Sequence, residues 1–129
     1  MLLSSVPGSS RWFLGGVVAY SNGLKESLLG VPHGLIRDDG AVSRAVADEM
    51  ARGAVRLTGS DISLAVTGIA GPEGGTADKP VGTVWMALRT ASGTATWEEV
   101  FSGDRDGVRR QASRYILERL SQYLEGERS

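Results

Sequence analysis

The run Ile62-Ser63-Leu64-Ala65-Val66-Thr67-Gly68-Ile69-Ala70-Gly71-Pro72-Glu73-Gly74-Gly75-Thr76, followed by Lys79-Pro80-Val81-Gly82-Thr83-Val84-Trp85-Met86-Ala87-Leu88, decides how this chain is read. Residues 62–66 and 84–88 are apolar, strand-like stretches with a connector crowded with glycine between them. Glycine brings no side chain to a core, so packing does not account for the connector. It belongs where the main chain must take positive φ, or where a ligand comes close to it. Loops between rigid strands commonly seat binding and catalytic groups, although a plain solvent-exposed hairpin connection fits the same composition. There is no Gly-Lys-Ser/Thr ending of a Walker loop, and no GxGxxG opening a helix.

Outward from the loop, residues 61–67 and 82–89 read as strands, and Ala91-Ser92-Gly93 as a turn into a further strand over residues 94–102. That strand alternates only in part, through Trp97-Glu98-Glu99-Val100-Phe101, as an edge strand would. Upstream, residues 13–20 form a Val-rich run that reads as a buried strand. Ser21-Asn22 then starts a helix over residues 23–29, stopped by Gly30 and Pro32. Ser43 is the expected N-cap of a helix to about Leu57, with Val46, Ala47, Met50, Ala54 and Leu57 on its apolar face. The last helix opens on Asp104 and Asp106, acids that suit its dipole. Val108, Ala112, Tyr115, Ile116, Leu120, Tyr123 and Leu124 share one face of it. Mixed strands and helices indicate a layered α/β or α+β domain. Residues 1–125 form that domain and residues 126–129 a polar tail.

Composition narrows the function. The 129 residues are 41% apolar and 22% charged, which suits one folded domain with a real core. A formal net charge of −1 gives no pull towards nucleic acid or an anionic membrane. With no cysteine there is no disulfide, thiolate metal site or cysteine nucleophile, and one histidine argues against zinc. No apolar run approaches the roughly 20 residues of a membrane helix. No secretory signal is recognisable either, so a cytoplasmic protein is expected.

Two further groups could carry chemistry. Pro7-Gly8-Ser9-Ser10 stands near Tyr20, Ser21 and Lys25 in sequence. If residues 13–20 are a strand, Tyr20 lies at its C-terminal end, where α/β sheets open their crevices. Lys25 would sit on the first turn of a helix, an unusual place for a cation. There it fits an anion-binding group, a general base if burial lowers its pKa, or simply a solvated lysine beside a structural tyrosine. The second group is Gly103-Asp104-Arg105-Asp106 with Arg109 and Arg110. It fits either a phosphate site at a helix N-terminus or a solvated face with Asp–Arg pairs. His33, in Pro-His-Gly, reads as a surface or hydrogen-bonding histidine in a loop.

Several motifs in fixed order then become recognisable: Val6-Pro7-Gly8-Ser9-Ser10, residues 13–22, Lys25, Leu29-Gly30-Val31, Gly40-Ala41-Val42-Ser43, residues 67–76, residues 79–85 and residues 101–105. Over nearly its whole length the chain resembles the C-terminal domain family of the competence/damage-inducible protein CinA. The family includes stand-alone nicotinamide mononucleotide deamidases. The resemblance implies a three-layer α/β/α domain with a mixed central sheet. It also implies an amidohydrolase that turns nicotinamide mononucleotide into nicotinate mononucleotide and ammonia, in pyridine nucleotide salvage. The implied partner is a small-molecule nucleotide, with neither metal nor cofactor, and with self-association of the chain. Carried over residue by residue, Lys25, Tyr20 and Ser10 are the catalytic positions. The substrate-binding positions are Thr67, Gly68, Ile69, Ala70, Gly71, Gly74, Gly75 and Thr76 of the loop, with Arg105.

The family's nucleophilic serine lies in an Ala-Glu-Ser-Cys-Thr-Gly-Gly stretch upstream of the Pro-Gly-Ser-Ser turn. No such stretch occurs in the 129 residues, and Ser4 and Ser5 do not match it. The resemblance therefore implies a chain that starts midway through the following helix, lacks an N-terminal helix and first strand, and is inactive as it stands. The alternative expectation is a non-catalytic domain that binds a pyridine nucleotide or a partner.

Overall fold

The computed structural model describes Leu3 and residues 7–128. Ser4, Ser5 and Val6 of the sequence argument lie outside the described residues. After a 3-10 turn, Ser9–Arg11, come helices α1 (Asn22–Ser27), α2 (His33–Asp39) and α3 (Arg44–Thr58). Strands β1 (Ser63–Gly68), β2 (Thr83–Thr90) and β3 (Gly93–Val100) follow, and then α4 (Arg105–Arg128). The strands form one sheet in the order β1-β2-β3. Both pairings are antiparallel, with Ala65 opposite Ala87 and Met86 opposite Trp97.

The central strand shows why the fold has three layers. Side chains alternate across a strand, so Trp85 and Ala87 join a core with Val46, Ala47, Met50 and Ala51 of α3. Val84 and Met86 face the other way, onto Val108, Ala112 and Ile116 of α4. The resulting α3/sheet/α4 sandwich is the expected three-layer α/β fold. Each fully buried aliphatic side chain in it contributes roughly 1.5–3 kcal/mol of apolar burial.

Local chemistry sets the element ends. Ser43 Oγ accepts from the Val46 amide at 3.3 Å and starts α3, while Gly59, at φ 70°, ends it. Asp104 Oδ1 accepts from Gly107 N at 2.8 Å and opens α4. Gly53 lets α3 pass directly over the turn after α1, since a Cβ there would lie 1.9 Å from the Leu29 carbonyl oxygen. Gly82 plays the same part where β2 begins, against the Phe101 carbonyl.

Four expectations need correction. Residues 13–20 form no regular secondary structure, join no ladder among the described residues and are mostly exposed; Leu14, Val18 and Tyr20 are among the most open apolar side chains. The sheet of the described residues is therefore antiparallel throughout, not mixed. Residues 33–39, read as loop around His33, form α2, which packs Leu35 and Ile36 onto the α3 core. Leu57, assigned to the buried face of α3, is half exposed because α3 ends one residue later. Helix α4 itself runs through Arg128, so residues 126–128 are polar and helical at once.

Candidate active site

Lys25 is the most unusual group near the expected site. Ser21 Oγ caps α1 by accepting from Leu24 N at 3.1 Å, which puts Lys25 one turn into the helix. Its aliphatic stem is buried with Leu29 and Val31 nearby in sequence, leaving the residue 7% exposed. Nζ turns back on the incoming chain and donates to Ala19 O at 2.9 Å and Tyr20 O at 3.5 Å. No carboxylate pairs with it among the described residues. Burial without a counter-charge disfavours the ammonium form, so its pKa is lowered from the ordinary lysine value.

Tyr20 approaches Lys25 through its carbonyl and not its phenol, because the side chain is 75% exposed. Ser10 lies on the exposed 3-10 turn that follows Gly8.

The glycine loop is the connection of the β1–β2 hairpin, residues 69–82. At its base, Ile69 N donates to Thr83 O and Gly82 N donates to Ile69 O, at 2.9 and 2.7 Å. Gly71 takes φ 87° before a cis bond to Pro72, and Gly74 takes φ 97°. Gly75 is needed for space, since a Cβ would lie 2.6 Å from Val81 N. Thr67 is buried, and its hydroxyl donates to Ala41 O at 2.8 Å. A Cβ on Gly68 would meet Val84, so that position too holds the loop close to β2. Thr76 and Lys79 exchange bonds across a tight turn: Thr76 N to Lys79 O, and Lys79 N to Thr76 Oγ1. The amides of Ala70, Gly71, Gly74 and Gly75 donate to no protein acceptor among the described residues. These are free donors for an anionic or carbonyl oxygen.

Arg105, the first residue of α4, reaches the loop and donates from Nη1 to Gly71 O at 3.1 Å. Arg109 only approaches Asp106, at 4.0 Å on the surface. The geometry thus makes two groups. Lys25 meets the Tyr20 main chain, and the loop residues meet Arg105. No hydrogen bond or ring contact joins Ser10, Tyr20 or Lys25 to the loop among the described residues. A cleft of about 220 Å³ adjoins the loop, lined by Val66, Gly68, Ala70, Val108, Arg109 and Ser113. A larger, open groove of about 560 Å³ lies between the start of α3 and β3 and includes Asp39, Arg44 and Thr96. Neither hollow is lined by Lys25.

Sequence reasoning quoted Lys79 only as part of a motif. In the fold its Nζ donates to Asp39 O at 2.6 Å, tying the loop to the end of α2. The signal available was a lysine between an Asp and a Pro at the end of a glycine loop, which does not name a partner 40 residues away. Among the described residues, no group of three His, Cys, Asp or Glu could hold a metal ion, and no helix is long and apolar enough to cross a membrane.

The family model described as the CinA C-terminal domain matches residues 1–124. The nicotinamide-nucleotide amidohydrolase PncC of Shigella flexneri is 49% identical over 122 residues, covering 94% of this chain and 74% of that protein. A CinA-like protein of Geotalea uraniireducens is 51% identical over 127 residues, covering 98% of this chain but only 30% of the relative. Among solved structures, the competence damage-inducible protein A of Klebsiella pneumoniae superposes with a TM-score of 0.91 at 38% identity. That likeness covers 95% of this chain and 76% of the other. The chain thus spans about three quarters of the shorter relatives and under a third of the longer CinA-like ones.

Proposed function

The chain belongs to the CinA C-terminal domain family, and from that premise we propose that it supplies most of an amidohydrolase acting on nicotinamide mononucleotide in the cytoplasm. The reaction adds water to the carboxamide, breaks the C–N bond, and yields nicotinate mononucleotide and ammonia. The observation that carries this reading is Lys25, a buried amine with carbonyl acceptors and, among the described residues, no counter-ion. Such a group costs stability as an ammonium, and a neutral amine is what a general base requires.

The roles follow from that chemistry. Lys25 takes the proton of a serine nucleophile and returns it to the leaving nitrogen as ammonia forms. Ser10 and Tyr20, on the segment leading to Lys25, relay that proton or orient the carboxamide. The unpaired amides of Ala70, Gly71, Gly74 and Gly75 receive the oxyanion or the ribose phosphate, and Arg105 adds charge beside them. Thr67, Gly68, Ile69 and Thr76 shape the pocket wall. The 129 residues carry no Glu-Ser-Cys-Thr-Gly-Gly stretch, so the chain alone binds the nucleotide without turning it over. The exposed apolar segment around Leu14, Val18 and Tyr20 supports self-association as well.

The test pairs calorimetry with ammonia release. The 129-residue chain should bind nicotinamide mononucleotide and release no ammonia. The same chain joined to a family N-terminal segment should release one ammonia per nucleotide, and Lys25→Met should abolish that release. A folded, joined protein that binds without releasing ammonia favours a non-catalytic binding domain. One that neither binds nor reacts refutes the proposal.

A further inference from the structure

Three consecutive main-chain carbonyls, of Asp39, Gly40 and Ala41, each accept from a side chain brought there by a different element. Lys79 Nζ, near the end of the loop, donates to Asp39 O at 2.6 Å. Ser43 Oγ, the cap of α3, donates to Gly40 O at 2.9 Å. Thr67 Oγ1, just before the loop, donates to Ala41 O at 2.8 Å. Carbonyls at a helix C-terminus lack intrahelical partners and carry partial negative charge, so an ammonium is well placed on the end of α2. Gly40 sits at φ 83°, and a Cβ on it would lie 3.1 Å from Lys79 Nζ, so the turn is shaped to admit the lysine.

Lys79 and Thr67 therefore hold the two ends of the glycine loop to one short turn, independently of the hairpin ladder. Arg105 holds the Gly71 side of the same loop from α4. A loop so rich in glycine loses much conformational entropy when ordered, and external anchors are what keep its free amides in one arrangement.

We propose that Lys79 is a positioning residue for the nucleotide site: by bonding the Asp39 carbonyl it fixes the exit of the glycine loop and so presets the loop amides for the ligand. This rests on the nucleotide reading above, and its test separates the two. Glu73 lies in the loop and is exposed, so a glutamate-specific protease reports on loop opening without any ligand. Lys79→Met should speed cleavage after Glu73 about tenfold and weaken nicotinamide mononucleotide binding by a similar factor, for loss of one charge-assisted bond. Lys79→Arg should restore both to within about threefold, because a guanidinium keeps the charge and a donor. Unchanged cleavage in Lys79→Met overturns the proposal. Faster cleavage with unchanged affinity overturns the preset of the site and leaves only an anchor. If the unaltered chain binds no nucleotide, the nucleotide reading fails, and with it the role of Lys79 in that site.

Discussion

Replacing Gly53 by alanine tests the packing that holds Lys25 in place. Inside an exposed helix, Gly→Ala is stabilising by about 1 kcal/mol. Here the added Cβ would lie 1.9 Å from Leu29 O and 2.6 Å from Leu29 C, both main-chain atoms that cannot rotate away. Contact requires more than 3 Å, so α3 and the turn after α1 must separate by over 1 Å. That movement loosens Leu29 and Val31 from Val46 and Met50, all in one buried cluster. It also breaks the Arg56 Nη2 bond to Leu29 O, now 3.1 Å. Overpacking of this kind costs about 1–3 kcal/mol, and the lost bond about 1 kcal/mol. After the gain in helix propensity, a net loss near 2 kcal/mol is expected, or roughly 8 °C in melting temperature for a domain of this size. Thermal unfolding followed by circular dichroism measures it. Gly126→Ala, where nothing lies within 4 Å of the new Cβ, is the control and should leave the midpoint unchanged or raise it by up to about 5 °C. A Gly53→Ala protein that melts at or above the unaltered temperature would refute the close-approach argument.

Two further outcomes concern the site itself. Lys25 has a lowered pKa in the fold through burial, so just below the ordinary value of 10.5 the unfolded chain binds the extra proton. Stability should therefore rise with pH as that value is approached, and Lys25→Met should flatten the rise; parallel denaturant midpoints for the two proteins across that range would contradict the assignment. Arg105→Gln removes a partly buried donor to Gly71 O. Nucleotide affinity measured by calorimetry should fall about tenfold, with little change in melting temperature, and unaltered affinity would take Arg105 out of the site.

What could be read beforehand was local. The apolar run into Gly68 and the run out of Thr83 announce β1 and β2, and Ser43 and Asp104 announce α3 and α4, because propensity and capping act within a few residues. Residues 13–20 have strand composition too, yet a strand exists only through a ladder, and ladder partners are set by distant chain. Helix α2 was hidden by Pro32, His33 and Gly34, which look like a loop, while Pro32 in fact precedes the first turn, where a missing amide costs nothing. The site shows the same division. Glycine spacing marked the loop, and the family motifs marked Lys25 and Arg105. The bond from Lys79 to Asp39 spans 40 residues, and no periodicity carries it.

The loop hangs between unequal supports. Its exit is the central strand β2, flanked on both sides by strands and covered on both faces by helices. Its entry is β1, which pairs only with β2 among the described residues and leaves Val66 40% exposed. Local opening follows such differences in burial, so amide exchange should slow sharply from Val66 to Val84. The opening of least cost would release the Thr67 side of the loop while leaving the Thr83 side in its native place. A ligand entering or leaving would then swing the loop as a door hinged on β2, with the latch on β1.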